Sequence, residues 1–214
     1  MDKEPYFDIL DQKRTDLLLL LKPFKDNFYL AGGTALALLL GHRDSFDFDF
    51  FSSGSFSTGD LFQKVEQVFA GHLVVKTQEA NDTLTIIIDE EIKVSFFAYP
   101  YELVRPLLNE DHFKIASLED IACMKLAAIT SRSVLKDYVD LYFILHNIAL
   151  EKLLNFTKEK FSMIDTNLIL KSLVYFEDIK EEPILFKHNK EVSFKLIKKY
   201  LAKIVKEYLT EVNK

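Results

Sequence analysis

Two aspartates one residue apart, Asp47 and Asp49, are the residues of this chain best suited to chemistry. They lie in residues 45–51, where aromatic and acidic side chains alternate. In a β-strand, side chains two positions apart point to the same side, so both carboxylates would face one way. Mg²⁺ is usually held by one or two carboxylates together with substrate phosphates. The pair therefore predicts a magnesium site, with Mn²⁺ as the alternative ion.

A pair of glycines, Gly32 and Gly33, stands shortly before the aspartates. They separate a buried strand predicted at residues 27–31 from a helix predicted at residues 34–40. Glycine lets backbone N–H groups approach a phosphate closely, and the N-terminus of the helix adds partial positive charge. The turn is therefore predicted to cradle a triphosphate.

Two side chains next to this turn extend the phosphate site. Thr34 can donate its hydroxyl, and Arg43 can neutralise phosphate charge. For Arg43, pairing with Asp44 or with another surface acid is the alternative. The sequence thus predicts a nucleotide-binding group of Gly32, Gly33, Thr34 and Arg43.

The composition narrows the classes of protein to consider. The 214 residues, 49% of them hydrophobic, can form one large domain or two small ones with a real core. A net charge of −6 argues against a uniformly basic surface, so any RNA contact must be regional. The lone Cys123 allows no intramolecular disulfide, and the charged N-terminus differs from a secretory signal. The longest aliphatic run, residues 17–21, is too short for a membrane span, and we expect a cytoplasmic protein.

Hydrophobic periodicity predicts an α+β fold with a change of character near residue 105. In the first domain, residues 1–105, helices are expected at residues 4–22, 34–40 and 60–68 and strands at residues 27–31, 45–51, 73–77, 84–88 and 92–97. After Pro100 and Pro106 the pattern is typical of helices only. The second domain, residues 106–214, is therefore predicted to be an α-helical bundle, whose first helix would begin with Ser117 and Asp120 as a capping box.

The last predicted helix carries lysines that recur on one face, namely Lys195, Lys199, Lys203 and Lys206. Such a stripe is typical of a solvated helix face. Contact with an RNA backbone is the alternative interpretation.

The order strand, Gly-Gly-Thr, helix and Asp-x-Asp is the arrangement of the polymerase-β-like nucleotidyltransferases. Within that superfamily, residues 30–51 resemble the signature of the AbiEii/AbiGii toxin family. Two helical elements of that family are also similar here: a lysine, Lys125, within residues 121–126, and the run Lys136-Asp137-Tyr138-Val139-Asp140-Leu141. The resemblance covers roughly residues 28–145.

The resemblance implies a polymerase-β-like core, a mixed sheet with flanking helices, followed by a helical bundle, with the nucleotide between them. It implies transfer of a nucleotide from an NTP to an acceptor hydroxyl, with tRNA 3′ ends as acceptors in some members and an antitoxin as partner. The implied roles place Gly33, Thr34 and Asp47 in the first motif, Asp49 as second metal ligand, Lys125 at the triphosphate, and Asp137 or Asp140 near the nucleotide or as a base.

Plain structural alternatives stand beside these roles in the helical half. Lys125 could simply extend past apolar neighbours to solvent. Asp137 and Asp140 could cap their helix or pair with Lys136 or Arg132.

Ser95 departs from the family pattern, which expects a third carboxylate at this position. A hydroxyl is a weaker ligand and cannot accept a proton as a carboxylate can. One metal could suffice, another acid such as Asp140 could act as base, or activity could be degraded. Two rival functions therefore stand beside transfer to RNA: an AMP-transferring enzyme that modifies protein, and a non-catalytic nucleotide- or RNA-binding homologue.

Overall fold

Within residues 4–212, which the computed structural model describes, seven strands form one mixed sheet in the first half of the chain. The strands are β1 Tyr29–Ala31, β2 Phe48–Ser52, β3 Val74–Ala80, β4 Thr83–Ile88, β5 Ile92–Ala98, β6 Leu108–Asn109 and β7 Lys114–Ile115. The accompanying helices are α1 Gln12–Leu20, α2 Gly32–Leu40 and α3 Thr58–Val68. The predicted α+β class is confirmed.

The strand order is β3-β4-β5-β2-β1-β7-β6, with β2 antiparallel to β1 and parallel to β5. Alternation along β2 sends Phe48 and Phe50 into the core, where Phe50 stacks on Phe96 of β5 at a centroid distance of 5.6 Å. Asp49 lies on the opposite, half-buried face. Burial of large aromatic rings on one face fixes the register of the strands.

The hairpin of β6 and β7 corrects the expectation that only helices follow Pro106. Strand β7 pairs with β1 in parallel, Leu30 opposite Ile115, and the Ala116 N–H donates to the Leu30 carbonyl at 2.9 Å. The first compact unit accordingly ends at Ser117 rather than near residue 105. Two-residue strands are too short to show a periodicity in the sequence.

Helices form the second unit, which begins at Leu118. They are α4 Leu118–Ile129, α5 Leu135–Leu145, α6 Leu150–Lys160, α7 Thr166–Leu173 and α8 Phe194–Val212. The hydroxyl of the buried Tyr138 in α5 lies 3.0 Å from the backbone carbonyl oxygens of both Ser172 and Tyr175 and donates a hydrogen bond to them. This contact connects α5 to the end of α7. Within residues 4–212, no helix is both long and apolar enough to cross a membrane.

The lysine stripe of α8 is exposed along its whole length. The Nζ atom of Lys203 lies 3.6 Å from Oε1 of Glu207 on the next turn of the helix. A pair of this exposed kind contributes little to stability, and the RNA alternative for the stripe stays a prediction.

Candidate active site

The two glycines form the first turn of α2, so the helix begins two residues earlier than the sequence predicted. Gly32 has a φ of +73°, which disfavours any residue with a Cβ. A Cβ at this position would also lie 3.0 Å from Oδ2 of Asp49. The glycine therefore allows a carboxylate to lie directly against the N-terminus of α2, where the helix dipole favours negative charge.

Thr34 is buried and its hydroxyl is engaged within the protein. It donates to the backbone carbonyl of Asp47, and its oxygen lies 2.8 Å from Oγ of Ser45. These contacts fix the segment that leads from α2 into β2. Thr34 thus positions Asp47, a role that the sequence did not suggest.

Asp47 is exposed immediately before β2, and Asp49 is half-buried within the strand. Asp49 pairs with Ala31 of β1 and with Ser95 of β5. The predicted alternation holds from Phe48 onward but not before it, because the strand starts later than expected. Phe46 is instead 44% exposed, with the Arg14 guanidinium 5.0 Å from its ring centroid.

Arg43 brings a positive charge to the same turn. It is only 3% exposed, and its Nη1 donates to the Asp44 carbonyl at 2.9 Å. Its Nη2 would lie 3.0 Å from a Cβ on Gly33. The guanidinium therefore packs against the first turn of α2, beside the backbone predicted to hold phosphate.

Ser95 is fully buried at the position where a third carboxylate was expected. It stands in register with Asp49, and its Oγ lies 3.4 Å from Oγ1 of Thr85 on β4. Across residues 4–212, no group of three or more His, Cys, Asp or Glu side chains is placed to hold a metal ion. Asp47 and Asp49 are the carboxylates here that could hold Mg²⁺, which needs only one or two protein carboxylates when substrate phosphates complete its oxygen shell.

In the second unit, Lys125, Asp137 and Asp140 form a buried ionic cluster. The Lys125 Nζ lies 2.8 Å from Asp137 Oδ1 and 2.6 Å from Asp140 Oδ2. Arg132 donates through Nε to Asp137 Oδ2 at 2.8 Å. Lys125, 7% exposed, does not extend to solvent, so that alternative is wrong. The predicted pairing of Asp137 with Arg132 is therefore confirmed.

A second buried ion pair was missed by the sequence analysis. Lys160 of α6 donates to Asp120 Oδ1 of α4 at 2.8 Å, with both side chains almost wholly buried. Asp120 had been expected to cap α4, since its position three residues after Ser117 fits a capping box. The sequence does contain a sign of this pair, because both charged residues fall within the apolar stripes of their helices. Next to the pair, burial raises the pKa of the Cys123 thiol to about 11.

Comparison with known proteins gives the class of protein, the nucleotidyltransferases. Residues 17–206 match the family described as nucleotidyl transferase AbiEii toxin, Type IV TA system. An uncharacterized protein of Aquifex aeolicus (strain VF5) is 44% identical over 161 residues, which are 73% of this chain and 77% of that protein.

Two solved structures share the fold. JHP933 from Helicobacter pylori superposes with a TM-score of 0.61 at 18% identity, over 95% of each chain. MenT4, a nucleotidyltransferase toxin of Mycobacterium tuberculosis H37Rv, superposes with a TM-score of 0.59 at 14% identity, over 89% of this chain and 80% of that one. The chain therefore belongs to the AbiEii nucleotidyl transferase toxin family, as its motifs predicted, and it is a nucleotidyltransferase.

Proposed function

We propose that the protein uses Mg²⁺ to transfer a nucleotide from an NTP to an acceptor hydroxyl of RNA, such as a tRNA 3′ end. The observation that carries this proposal is the contact between the glycine turn and Asp49. A residue with a Cβ at position 32 would be strained by the positive φ and would crowd this carboxylate at the N-terminus of α2, with 3.0 Å between Cβ and Oδ2. Phosphate-binding backbone and a magnesium-type ligand thereby share one corner of the sheet.

The residues around this corner would divide the work. Backbone N–H groups of Gly32 and Gly33 would bind the phosphates, and Arg43 would neutralise part of their charge. Asp47 and Asp49 would hold Mg²⁺. When bound, the ion would stabilise the negative charge that develops on the phosphoryl oxygens. Thr34 would keep Asp47 in place through the backbone bond described above.

In the proposed reaction, the acceptor oxygen bonds to the α-phosphorus while the bond to the bridging oxygen breaks and pyrophosphate leaves. The hydroxyl proton must leave the acceptor, and Ser95 cannot take it as a carboxylate would. Phosphoryl transfer relies mainly on positioning and charge stabilisation, so the proton can pass to solvent water while the released pyrophosphate carries the electron pair of the broken bond. The assignments of Lys125 to the triphosphate and of Asp137 or Asp140 as base stay predictions.

Purified protein incubated with each α-labelled NTP, total RNA and total protein tests the proposal. We expect label in RNA, dependent on added Mg²⁺ and abolished by chelation. Asp47→Asn should remove transfer, whereas Asp60→Asn, an exposed aspartate of α3, should retain it. Label in protein would select the AMP-transferring alternative. Full transfer by pure Asp47→Asn protein would reject the metal assignment, and binding of NTP without transfer to either polymer would support the non-catalytic alternative.

We further propose that the chain is the toxic component of a toxin–antitoxin pair, which its family membership supports. Induced expression of the wild type should arrest growth, and Asp47→Asn should relieve the arrest. Co-expression of a neighbouring antitoxin gene should restore growth. Equal toxicity of wild type and Asp47→Asn would separate growth arrest from nucleotide transfer.

A further inference from the structure

Beyond Asp49, the same face of the sheet continues as a row of aromatic rings. Directly paired residues present their side chains on one face, and the next such pair after Asp49 and Ser95 is Phe51 with Phe97. The ring centroids of Phe51 and Phe97 are 5.4 Å apart. We use the term aromatic row for Tyr29, Phe51, Phe97, Tyr99 and Tyr101.

The rings of the row contact one another in sequence. Tyr29 stacks on Phe51 with centroids 6.1 Å apart, and Tyr99 meets Phe51 edge-on at 5.4 Å. Tyr101 follows Tyr99 at 4.8 Å. Aromatic pairs at such distances hold each other in defined orientations. The row is therefore a continuous surface rather than a set of separate side chains.

Exposure distinguishes this face from the core face of the same strands. Phe50 and Phe96, one position away on β2 and β5, are at most 2% exposed. Phe51, Phe97 and Tyr99 are half-buried and Tyr101 is 42% exposed, whereas Tyr29, at the other end of the row, is buried at 5% exposure. The Tyr99 N–H donates to the Ser52 carbonyl at 2.7 Å, which continues the pairing of β5 with β2. Rigid backbone thus presents partly open rings to solvent.

The row runs away from the glycine turn. Strand β1 ends at the turn with Ala31 opposite Asp49, whereas Phe51 lies opposite Tyr29 at the start of β1. Two residues of strand separate Phe51 from Asp49 by about 7 Å. In phosphoryl transfer the attacking and leaving oxygens are roughly in line. If the leaving pyrophosphate is held at the glycine turn, the acceptor hydroxyl arrives on the side of the α-phosphorus away from that turn, and the row extends in a direction away from the turn.

We propose that the aromatic row stacks unpaired bases at the end of a single-stranded RNA acceptor and so guides its hydroxyl towards Asp49. This inference rests on the proposed function. Aromatic rings bind bases of any sequence, because every base has a π-face. The net charge of −6 limits what phosphate contacts alone can contribute, and stacking supplies affinity without added positive charge.

A binding assay with full-length protein tests the role of the bases. Fluorescence anisotropy would compare a labelled single-stranded RNA of about eight nucleotides, within the usual size range of such sites, with an abasic chain of equal length. The double variant Tyr99→Leu/Tyr101→Leu keeps apolar side chains but removes both π-faces. We expect its Kd for the RNA to rise about tenfold for each stacked base lost, and its Kd for the abasic chain to stay unchanged.

Two further variants test whether the loss of RNA binding is specific to the aromatic row. Phe97→Leu should weaken RNA binding in the same way, with folding verified for each variant by its thermal midpoint. Phe7→Leu is the matched control, because Phe7 is also exposed but packs against Phe113 outside the row. The inference would be overturned if Phe7→Leu lost as much affinity as the row variants, or if the row variants bound RNA as the wild type does. It would also be overturned if the wild type bound both probes equally or bound no RNA.

Steady-state kinetics separates the acceptor from the nucleotide. The row variants should raise KM for RNA and leave KM for the NTP unchanged. A rise in KM for the NTP alone would assign the row to the incoming base and overturn the acceptor assignment. If the wild type binds the RNA through the row but labels only protein, the proposed function fails and the stacking surface stands. If the wild type labels RNA and the row variants bind and label RNA equally well, the proposed function stands and the stacking surface fails.

Discussion

The carboxylates of the two units are held in opposite ways. In the first unit, Asp47 is exposed and Asp49 half-buried. Asp49 is positioned by strand register and the glycine turn, and Asp47 by the bond from Thr34 to its backbone carbonyl. In the second unit, Asp137 and Asp140 are buried and held by direct ion pairs with Lys125. Backbone supports the first pair, whereas opposite charge supports the second.

This difference teaches which kind of work each site can do. Carboxylates near solvent can bind a cation and substrate phosphates without a large change in burial. Removal of one partner from a buried pair leaves an uncompensated charge, which is strongly destabilising. The first pair is thus suited to turnover and the second to fixing its helices. Any role of Lys125 toward phosphate must come at the expense of its carboxylate partners.

The largest effect is expected from Asp49→Asn. We expect transfer to fall about a thousandfold, the upper range for loss of one electrostatic group in an active site. The thermal midpoint should hardly move, because amide and carboxylate have the same shape. Initial rates and a melting curve on one preparation provide the test. A large loss of stability would mean that Asp49, like Asp140, is held by an opposite charge. The contrast drawn between the carboxylates of the two units would then be wrong.

Lys160→Met should produce the largest loss of stability, about 3–5 kcal/mol in the free energy of unfolding. It leaves the buried carboxylate of Asp120 without its cation. Urea denaturation measures the change, and the double variant Lys160→Met/Asp120→Leu should recover most of it, because it removes both charges. Failure of the double variant to recover would mean that lost packing, and not the unpaired charge, causes the effect.

Asp140→Asn sharpens the comparison within the helical unit. Lys125 keeps Asp137 as a partner, so we expect a smaller loss, about 2 kcal/mol. If Asp140 is structural, the transfer rate per folded molecule stays near that of the wild type. Rates measured well below the melting temperature decide this. A fall comparable to that of Asp49→Asn would show that Asp140 takes part in the reaction.

Gly32→Ala should destabilise the protein by about 1–2 kcal/mol, since a left-handed backbone conformation is unfavourable for alanine. The new Cβ also displaces the Asp49 carboxylate, so transfer should fall with stability. Gly54→Ala is the control, because a Cβ there meets nothing within 4 Å. If both variants behave alike in melting and transfer assays, the turn does not position Asp49.

The smallest effect concerns Cys123, whose burial raises its pKa to about 11. At pH 8 the thiol is protonated as well as inaccessible, so a thiol reagent should not modify the folded protein. Modification should appear only with unfolding, and its rate in urea can be followed by mass spectrometry. Rapid reaction of native protein would show that the helical unit opens around Asp120 and Lys160.

Local features of the sequence were sufficient to predict some of the local structure around the candidate site. Gly32 does form a turn with positive φ, as the glycine pair predicted, and the alternation predicted for Asp49 holds, because glycine conformation and strand alternation are properties of short segments. Asp47 lies before the strand, so alternation does not place it, and its role with Asp49 stays a prediction. The motifs also led to the family, which the comparison confirmed. The helix start at Gly32 shifted by two residues, within the usual uncertainty of helix ends.

Tertiary structure alone decided the remaining features, because they join residues far apart in the chain. Thr34 turned out to hold Asp47, and Lys160 reached Asp120 across 40 positions. Strand β7 is defined by its pairing with β1, and β6 by its pairing with β7. The aromatic row exists only because β5 lies parallel to β2. The sequence determined which groups could perform chemistry, and packing of distant segments determined which of them share a surface and which are buried as ion pairs.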